Sequence, residues 1–225
     1  MGKRVLLSWS SGKDSAWTLH VLRQGPAVEI AGLVTTVNDG ARRVAMHGVR
    51  ESLLEAQARA SGLPLRVLRL PWPCSNAQYE AILLEACRSF RAENIEAVAF
   101  GDLFLRDIRE YREAQMAHAG LQPLFPLWEL PTAALAGDMI RSGLRARLSC
   151  VDLAKLPAEF AGREFDEPLL ADLPKAADPC GENGEFHTFC YAGPMFARPI
   201  HVVAGEVVLR EGFAFADLEL AEDSS

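Results

Sequence analysis

The sequence predicts an α/β fold, with a mostly parallel sheet covered by helices over residues 1–130 and a smaller α+β part over residues 131–225. Three observations predict it. Strand-like and helix-like segments alternate through the first half. A Ser/Gly-rich loop joins the first apolar run to the first helical segment, where α/β sheets receive ligands. From Pro131 the texture changes to proline-broken sequence and then paired strand-like runs.

The first strand is the apolar run Val5-Leu6-Leu7, and Ala16 to Leu22 reads as the first helix. Val28 to Val37 is rich in β-branched residues and predicts a second strand. Val49 to Ala60 is an amphipathic helix closed by Gly62 and Pro64. Leu65 to Leu70 is a third strand and Ala77 to Arg91 a strong helix. Ala97 to Phe100 is a short buried strand that stops at Gly101-Asp102. Arg106 to His118 is helical, with Gly120 as the residue just past its end, and Leu121 to Leu127 completes the alternation. In the second part, Thr132 to Ser142 reads as helix and Arg145 to Asp152 as strand, while prolines break Leu156 to Pro179. Met195 to Val203 and Glu206 to Leu220 predict antiparallel strands turning at Ala204-Gly205.

At 225 residues the chain can bury one substantial core or two modest ones. No stretch is long and apolar enough to span a bilayer, and the run after Met-Gly-Lys-Arg is too interrupted for a signal peptide, so the cytoplasm is expected. A net charge of −7 argues against extended binding to a nucleic-acid backbone. Five cysteines without a C-x-x-C pair point to reduced thiols and give zinc no support. No heptad seam marks a dimer helix, and a homodimer stays open.

The chemistry begins at Ser8 to Ser15, reading Ser-Trp-Ser-Ser-Gly-Lys-Asp-Ser. Unpaired amides at a helix start, with the positive end of the helix dipole, favour phosphate. Lys13 adds a point charge, and Ser10, Ser11 and Ser15 supply hydroxyls around Gly12. This is not a Walker A loop, which needs glycine where Leu7 stands and Ser or Thr where Asp14 stands.

The loop resembles the Ser-Gly-Gly-X-Asp-Ser loop of the ATP pyrophosphatase (PP-loop) superfamily, with Ser11 in place of the first glycine. That resemblance implies a Rossmann-like (HUP) nucleotide domain and cleavage of ATP between its α and β phosphates. Within the superfamily the chain is similar to the diphthine–ammonia ligase family and its bacterial relatives. The matching pieces are Ser10 to Ser15, Met46-His47-Gly48-Val49-Arg50, Gln57-Ala58, Gly62 to Leu65, Gly101-Asp102, Pro126-Leu127-Trp128 and Gly181 to Thr188. The last, Gly-Glu-Asn-Gly-Glu-Phe-His-Thr, is the more family-specific signal.

The site expected from these residues has two halves. Ser10, Ser11, Gly12, Lys13, Ser15 and Gly101 are expected to hold the phosphates. Thr35 and Thr36, ending the second strand, lie where the superfamily recognises adenine through main-chain groups. His47 is expected to touch nucleotide or substrate rather than metal. Asp102, just past a buried strand, can hold Mg²⁺ against phosphate oxygens. Asp14 either organises Lys13 and Mg²⁺ or is a first-turn carboxylate stabilised by the dipole. Glu182 and Glu185 can bind a cationic group, attract ammonium or act as a base, with Asn183 and His187 beside them. Phe186, Phe189 and Tyr191 can form an apolar or cation–π wall. Cys180 and Cys190 read as structural.

The resemblance implies an ATP- and Mg²⁺-dependent ligase that adenylates a carboxylate and forms an amide with ammonia. The acceptor it implies is diphthine on elongation factor 2, or another small or protein-borne carboxylate if the chain follows the bacterial relatives. Two rivals remain. One is RNA thiolation by a PP-loop enzyme, disfavoured by the acidic charge and the missing C-x-x-C pair. The other is a module that binds ATP or AMP without turning it over.

Overall fold

The computed structural model describes residues 2–40, 43, 44 and 48–221. Its first sheet is built from β1 (Lys3–Ser8), β2 (Val28–Asn38), β3 (Arg43–Val44), β4 (Leu65–Leu70), β5 (Ala97–Ala99) and β6 (Gln122–Leu124). β1 lies between β2 and β5; β4 pairs with β2 and β6 with β5, all in parallel, and β3 adds a short antiparallel rung to the end of β2. The chain therefore works outward from β1 on one side and then returns to extend the sheet on the other. The reversal falls between β1 and β5, where an open α/β sheet forms its ligand crevice.

The crossovers are α1 (Lys13–Arg23), α2 (Glu51–Ser61), α3 (Asn76–Ala92) and α4 (Arg106–Ala119). Each end follows local chemistry. The Ser75 side chain and Gln78 form a reciprocal capping box at the start of α3. Gly62 and Gly120 close α2 and α4 in left-handed conformation. Strand alternation splits β1 between two cores. Val5 and Leu7 join one apolar cluster, and Leu6 joins Phe90, Val98 and Met116 in the other, with α3 and α4.

The second sheet follows α5 (Thr132–Arg141) and is antiparallel, in the order β8 (Phe186–Ala192), β7 (Arg145–Asp152), β10 (Phe213–Leu220), β9 (Val202–Arg210). A single helical turn at Ala158–Phe160 and α6 (Glu167–Asp172) interrupt the proline-rich stretch. The first apolar cluster runs through both sheets, linking Leu7, Leu33 and Leu53 with Leu148, Phe165 and Leu218. Among the described residues no helix is long and apolar enough to cross a membrane.

The strands of the second part differ from the sequence expectation, which places none at Phe186–Ala192. The hairpin turns at Glu211-Gly212, not at Ala204-Gly205, and Met195 to Ile200 is irregular. Glu211 (φ 53°) and Gly212 (φ 83°) supply the two consecutive left-handed residues that a tight hairpin needs. Ala204-Gly205 instead lies inside β9, where the register with β10 shifts between Ala216 and Leu218. Sequence alone does not tell such a bulge glycine from a turn glycine.

Candidate active site

β1 delivers the Ser/Gly loop to the carboxyl edge of the first sheet, and α1 starts directly after it, at Gly12. Gly101, past the end of β5, lies against this first helical turn. A Cβ there would stand 3.0 Å from the Asp14 carbonyl carbon and 3.1 Å from the Ser15 nitrogen, so a larger residue would push β5 and α1 apart. The sheet's reversal point and the helix start are thus one place.

Within the loop, Ser11 is fully buried in left-handed conformation (φ 72°). This is strained for a residue with a Cβ and accounts for glycine in the motif that the loop resembles. The Ser11 carbonyl accepts from Gln57 Nε2 and from the Cys190 amide, each at 2.9 Å, while its hydroxyl is buried with no hydrogen-bond partner. Ser10 Oγ accepts from the Gly12 amide at 3.3 Å and sits 3.1 Å from Ser15 Oγ, which donates to the Gly12 carbonyl. These hydroxyls cluster at the positive end of α1.

Lys13 is 2% exposed. Its backbone amide donates to Thr188 Oγ1 at 3.0 Å, and its ammonium donates to Asp14 Oδ2 at 2.8 Å and to the Cys180 carbonyl. The Phe165 and Phe186 rings each lie 5.5 Å from Nζ. Burial works against this charge, but Asp14, with Glu182 farther off, outweighs it and holds the Lys13 pKa above the ordinary lysine value. The expected cation–π wall therefore contains Phe186, but its cation is the protein's own lysine. Phe189 is fully buried, and the Tyr191 hydroxyl donates to Glu164.

The loop from Asp178 to Glu185 closes against this cluster. Asp178 Oδ2 accepts from the Cys180 and Glu182 amides at 2.9 and 3.1 Å, folding the chain so that Glu182 reaches back to the first sheet. Glu182 Oε1 accepts from the Leu103 amide at 2.8 Å, one residue past Asp102. Burial pushes its carboxyl up to about 7, against the Leu103 hydrogen bond and with the Asp14 and Asp102 charges adding to the rise. Glu185 is 3% exposed; its Oε1 accepts from the Asp178 amide and Asn183 Nδ2, and its Oε2 is buried with no hydrogen-bond partner.

The remaining expected residues divide. Asn183 is exposed, and its carbonyl accepts from Lys155 Nζ. His187 alternates with Phe186 and Thr188 along β8, placing it on the strand's other face. Burial, with the charges of Lys13 and Lys155, lowers its pKa to about 4, so it is neutral near pH 7. Thr35 and Thr36 line a cavity of about 200 Å³ beside the loop, with Ser10, Tyr79, Arg112 and Gln115. Asp102 is held by Arg112 from α4, with Oδ2 2.6 Å from Nε. His47 lies outside the described residues. Burial raises the thiol pKa values of Cys180 and Cys190, which gives neither the character of a nucleophile.

Sequence reasoning counted Gln57 and Thr188 among the matching pieces without giving either a role, and it missed Asp178, Arg112 and Gln115. Gln57 is fully buried and also accepts from Trp9 Nε1 at 2.8 Å, so one amide ties α2 to the loop and to β8. A glutamine on the apolar face of a helix was the available signal. Asp178 and Thr188 flank the acidic segment: Asp178 folds it through the Cys180 and Glu182 amides, and Thr188 ties β8 to the Lys13 amide at the start of α1. Arg112 and Gln115, whose Nε2 is buried without a hydrogen-bond partner, come from one helix face that carried no motif.

Comparison with known proteins bears on this arrangement. A solved structure, the U34-tRNA thiolase NcsA from Methanococcus maripaludis with its [4Fe-4S] cluster, has a TM-score of 0.40 at 15% identity, covering 62% of this chain and 58% of that one. The diphthine–ammonia ligase of Homo sapiens is 35% identical over 130 residues, 55% of this chain and 48% of the relative. The Danio rerio enzyme of the same name is 36% identical over 129 residues, 55% of this chain and 50% of that protein. The chain thus spans about half the length of these curated relatives. The model of the diphthamide synthase N-terminal domain matches residues 3–123, and that of its C-terminal domain matches residues 132–222. Since those two matches take in both the Ser10–Ser15 loop and the acidic segment that closes on it, the chain belongs to the diphthamide synthase family.

Proposed function

We propose that the chain is an ATP-dependent ligase that joins ammonia to a carboxylate through an acyl-adenylate. Carrying this reading is the junction itself, where Lys13 of a phosphate-binding helix start hydrogen-bonds to the Cys180 carbonyl of the loop bearing Glu182 and Glu185. In the first step a carboxylate oxygen attacks the α-phosphorus, the bond to the bridging oxygen of the β-phosphate breaks, and pyrophosphate leaves. In the second step ammonia attacks the acyl carbon, AMP leaves, and the proton released from nitrogen passes to a base. The loop hydroxyls, the α1 dipole and Lys13 stabilise charge on the leaving phosphates. Glu182 is the base in this scheme, and the closed second sheet keeps water from the adenylate. The adenosine is assigned to the cavity at Thr35 and Thr36.

The donor set accommodates Mg²⁺ at Asp14. Its Oδ1 is buried with no hydrogen-bond partner, and Mg²⁺ bound to phosphates needs only one or two carboxylates. Asp102 fits less well, because Arg112 already occupies its carboxylate. Bound at Asp14, the ion would neutralise phosphate charge. The acceptor assigned is diphthine, after the names of the relatives, carried on elongation factor 2 as the sequence resemblance implies.

Incubation with ATP, Mg²⁺, ammonium and an acceptor carboxylate, diphthine-bearing protein first, is expected to yield AMP and pyrophosphate in step with amide. ADP and inorganic phosphate as products would sink the proposal. Thermal stabilisation by nucleotide without AMP from any acceptor would make the chain a nucleotide-binding module instead.

A further inference from the structure

The second sheet ends in an uncovered edge. β9 is the terminal strand of that sheet, and its Val207, Val208 and Leu209 are 46%, 52% and 63% exposed. Its sequence, Val-Val-Ala-Gly-Glu-Val-Val-Leu-Arg, holds no proline or lysine, which commonly guard such edges. Val207 and Leu209 lie opposite Ala216 and Ala214, which are buried, so they continue the core face past its last covered strand. Val208 and Arg210 share the other face with Phe215, over whose ring the guanidinium sits at 5.2 Å. Among the described residues neither Glu206 nor Arg210 has an ion-pair partner.

We propose that this edge pairs antiparallel with the same edge of a second copy of the chain, about a two-fold axis through Val208. The hydrogen-bonding pattern favours that register. The hairpin has a two-residue turn, so Arg210 and Phe213 face each other as a hydrogen-bonded pair, and Val208 and Phe215 form the next such pair. The amides and carbonyls of Val207 and Leu209 therefore point outward, to the open edge. An axis through Val208 sets Val207 opposite the partner's Leu209, and Leu209 opposite the partner's Val207. Each pair exchanges two backbone hydrogen bonds and packs its apolar side chains.

Charge selects the same register. With that axis Glu206 faces the partner's Arg210, and Arg210 faces the partner's Glu206. Both fall at non-hydrogen-bonded positions, where opposing side chains approach most closely. Moving the axis to Val207 or Leu209 leaves both charges without an opposite one, and moving it to Glu206 sets two carboxylates against each other. The bulge at Gly205-Glu206 bends the strand away beyond this stretch, which limits the pairing to Glu206–Arg210 and makes it dependent on concentration. An isologous contact of this kind closes at two copies and joins two four-stranded sheets into one.

Sedimentation equilibrium of the full chain across a concentration series tests this. Wild type is expected to approach twice 24.6 kDa. Glu206→Arg and Arg210→Glu each convert two attractions into repulsions and are expected to weaken the dimer at least about tenfold. The double variant Glu206→Arg/Arg210→Glu restores complementarity and is expected to restore the dimer, which a mere folding defect would not do. Unchanged melting temperatures of the singles, read at a concentration where wild type is monomeric, serve as the fold control. A wild type that stays monomeric throughout would overturn the proposal and leave the edge to an extended segment of another protein. So would a dimer untouched by either single reversal, or a double variant no better than the singles.

Discussion

Glu182 has a carboxyl whose proton affinity is matched to neutral solution. Its pKa of about 7 arises from burial first, with nearby carboxylates adding to it, and the Leu103 amide fixes one oxygen, Oε1. A base must be ionised to take the proton from attacking ammonia, so amide formation is expected to rise as pH increases through about 7. Glu182→Gln should remove that limb and lower kcat by roughly a hundredfold or more, in the range general bases contribute. Persistence of the limb in the variant, measured as ammonia-dependent AMP release against pH at constant free ammonia, would rule out this role. The stability effect has a definite sign. A carboxyl whose pKa is raised in the folded state favours folding below its unfolded value of 4.5, and that contribution disappears as pH rises through about 7. Glu182→Gln should therefore gain stability relative to wild type across that window.

At the scale of elements, the junction depends on side-chain contacts that no motif describes. Gln57 reaches from α2 to the loop and to β8, donating to the Ser11 carbonyl at 2.9 Å and the Cys190 carbonyl at 2.6 Å. Gln57→Leu keeps the volume but leaves the Trp9 indole N–H without its acceptor and the Cys190 carbonyl without this donor. A loss of about 2–4 kcal/mol in denaturant unfolding is expected, with a raised KM for ATP because the loop loses an anchor. Loss of stability with no change in KM would separate the clip from the nucleotide. The sequence showed the alternation of β1, β2, β4, β5 and β6, the loop, Gly101 and the acidic segment, because each is local: an apolar period, a helix start, a run of glycines and carboxylates. It did not show that Asp102 is paired with Arg112, ten residues along, or that Phe165 and Phe186 enclose Lys13. Those contacts depend on how α4 and the second sheet pack, and no local pattern encodes that. The bulge at Gly205 was misread for the same reason, since the residue type is shared with turns and only the pairing with β10 distinguishes the two.

At the scale of the molecule, two sheets with different topologies share one core. The first cluster joins Leu7 and Leu53 to Phe189 and Leu218, and the Trp9 ring meets Phe196 edge-on at 6.3 Å. Polar ties cross the same boundary: Arg23 donates to the Met195 carbonyl at 2.7 Å, and the Ala197 amide to the Ala60 carbonyl at 2.8 Å. Residues 131–225 thus cover apolar surface that residues 1–130 would otherwise expose, and the reverse also holds. Cooperative unfolding follows when separating two parts uncovers core on both. The four tryptophans, Trp9, Trp17, Trp72 and Trp128, all lie in the first part; Trp17, Trp72 and Trp128 report on the parallel sheet, and Trp9, which meets Phe196, reports on the junction as well. Amide exchange in β7 and β10 reports on the antiparallel one. In a denaturant series below the concentration of self-association the two signals are expected to share one midpoint, and residues 1–130 expressed alone should lack a cooperative transition. Two separated midpoints would mean that one sheet keeps its structure after the other has melted. The contact of the acidic loop with Lys13 would then be one that can break while the parallel sheet stays folded, and the junction would not be what makes the two parts cooperative.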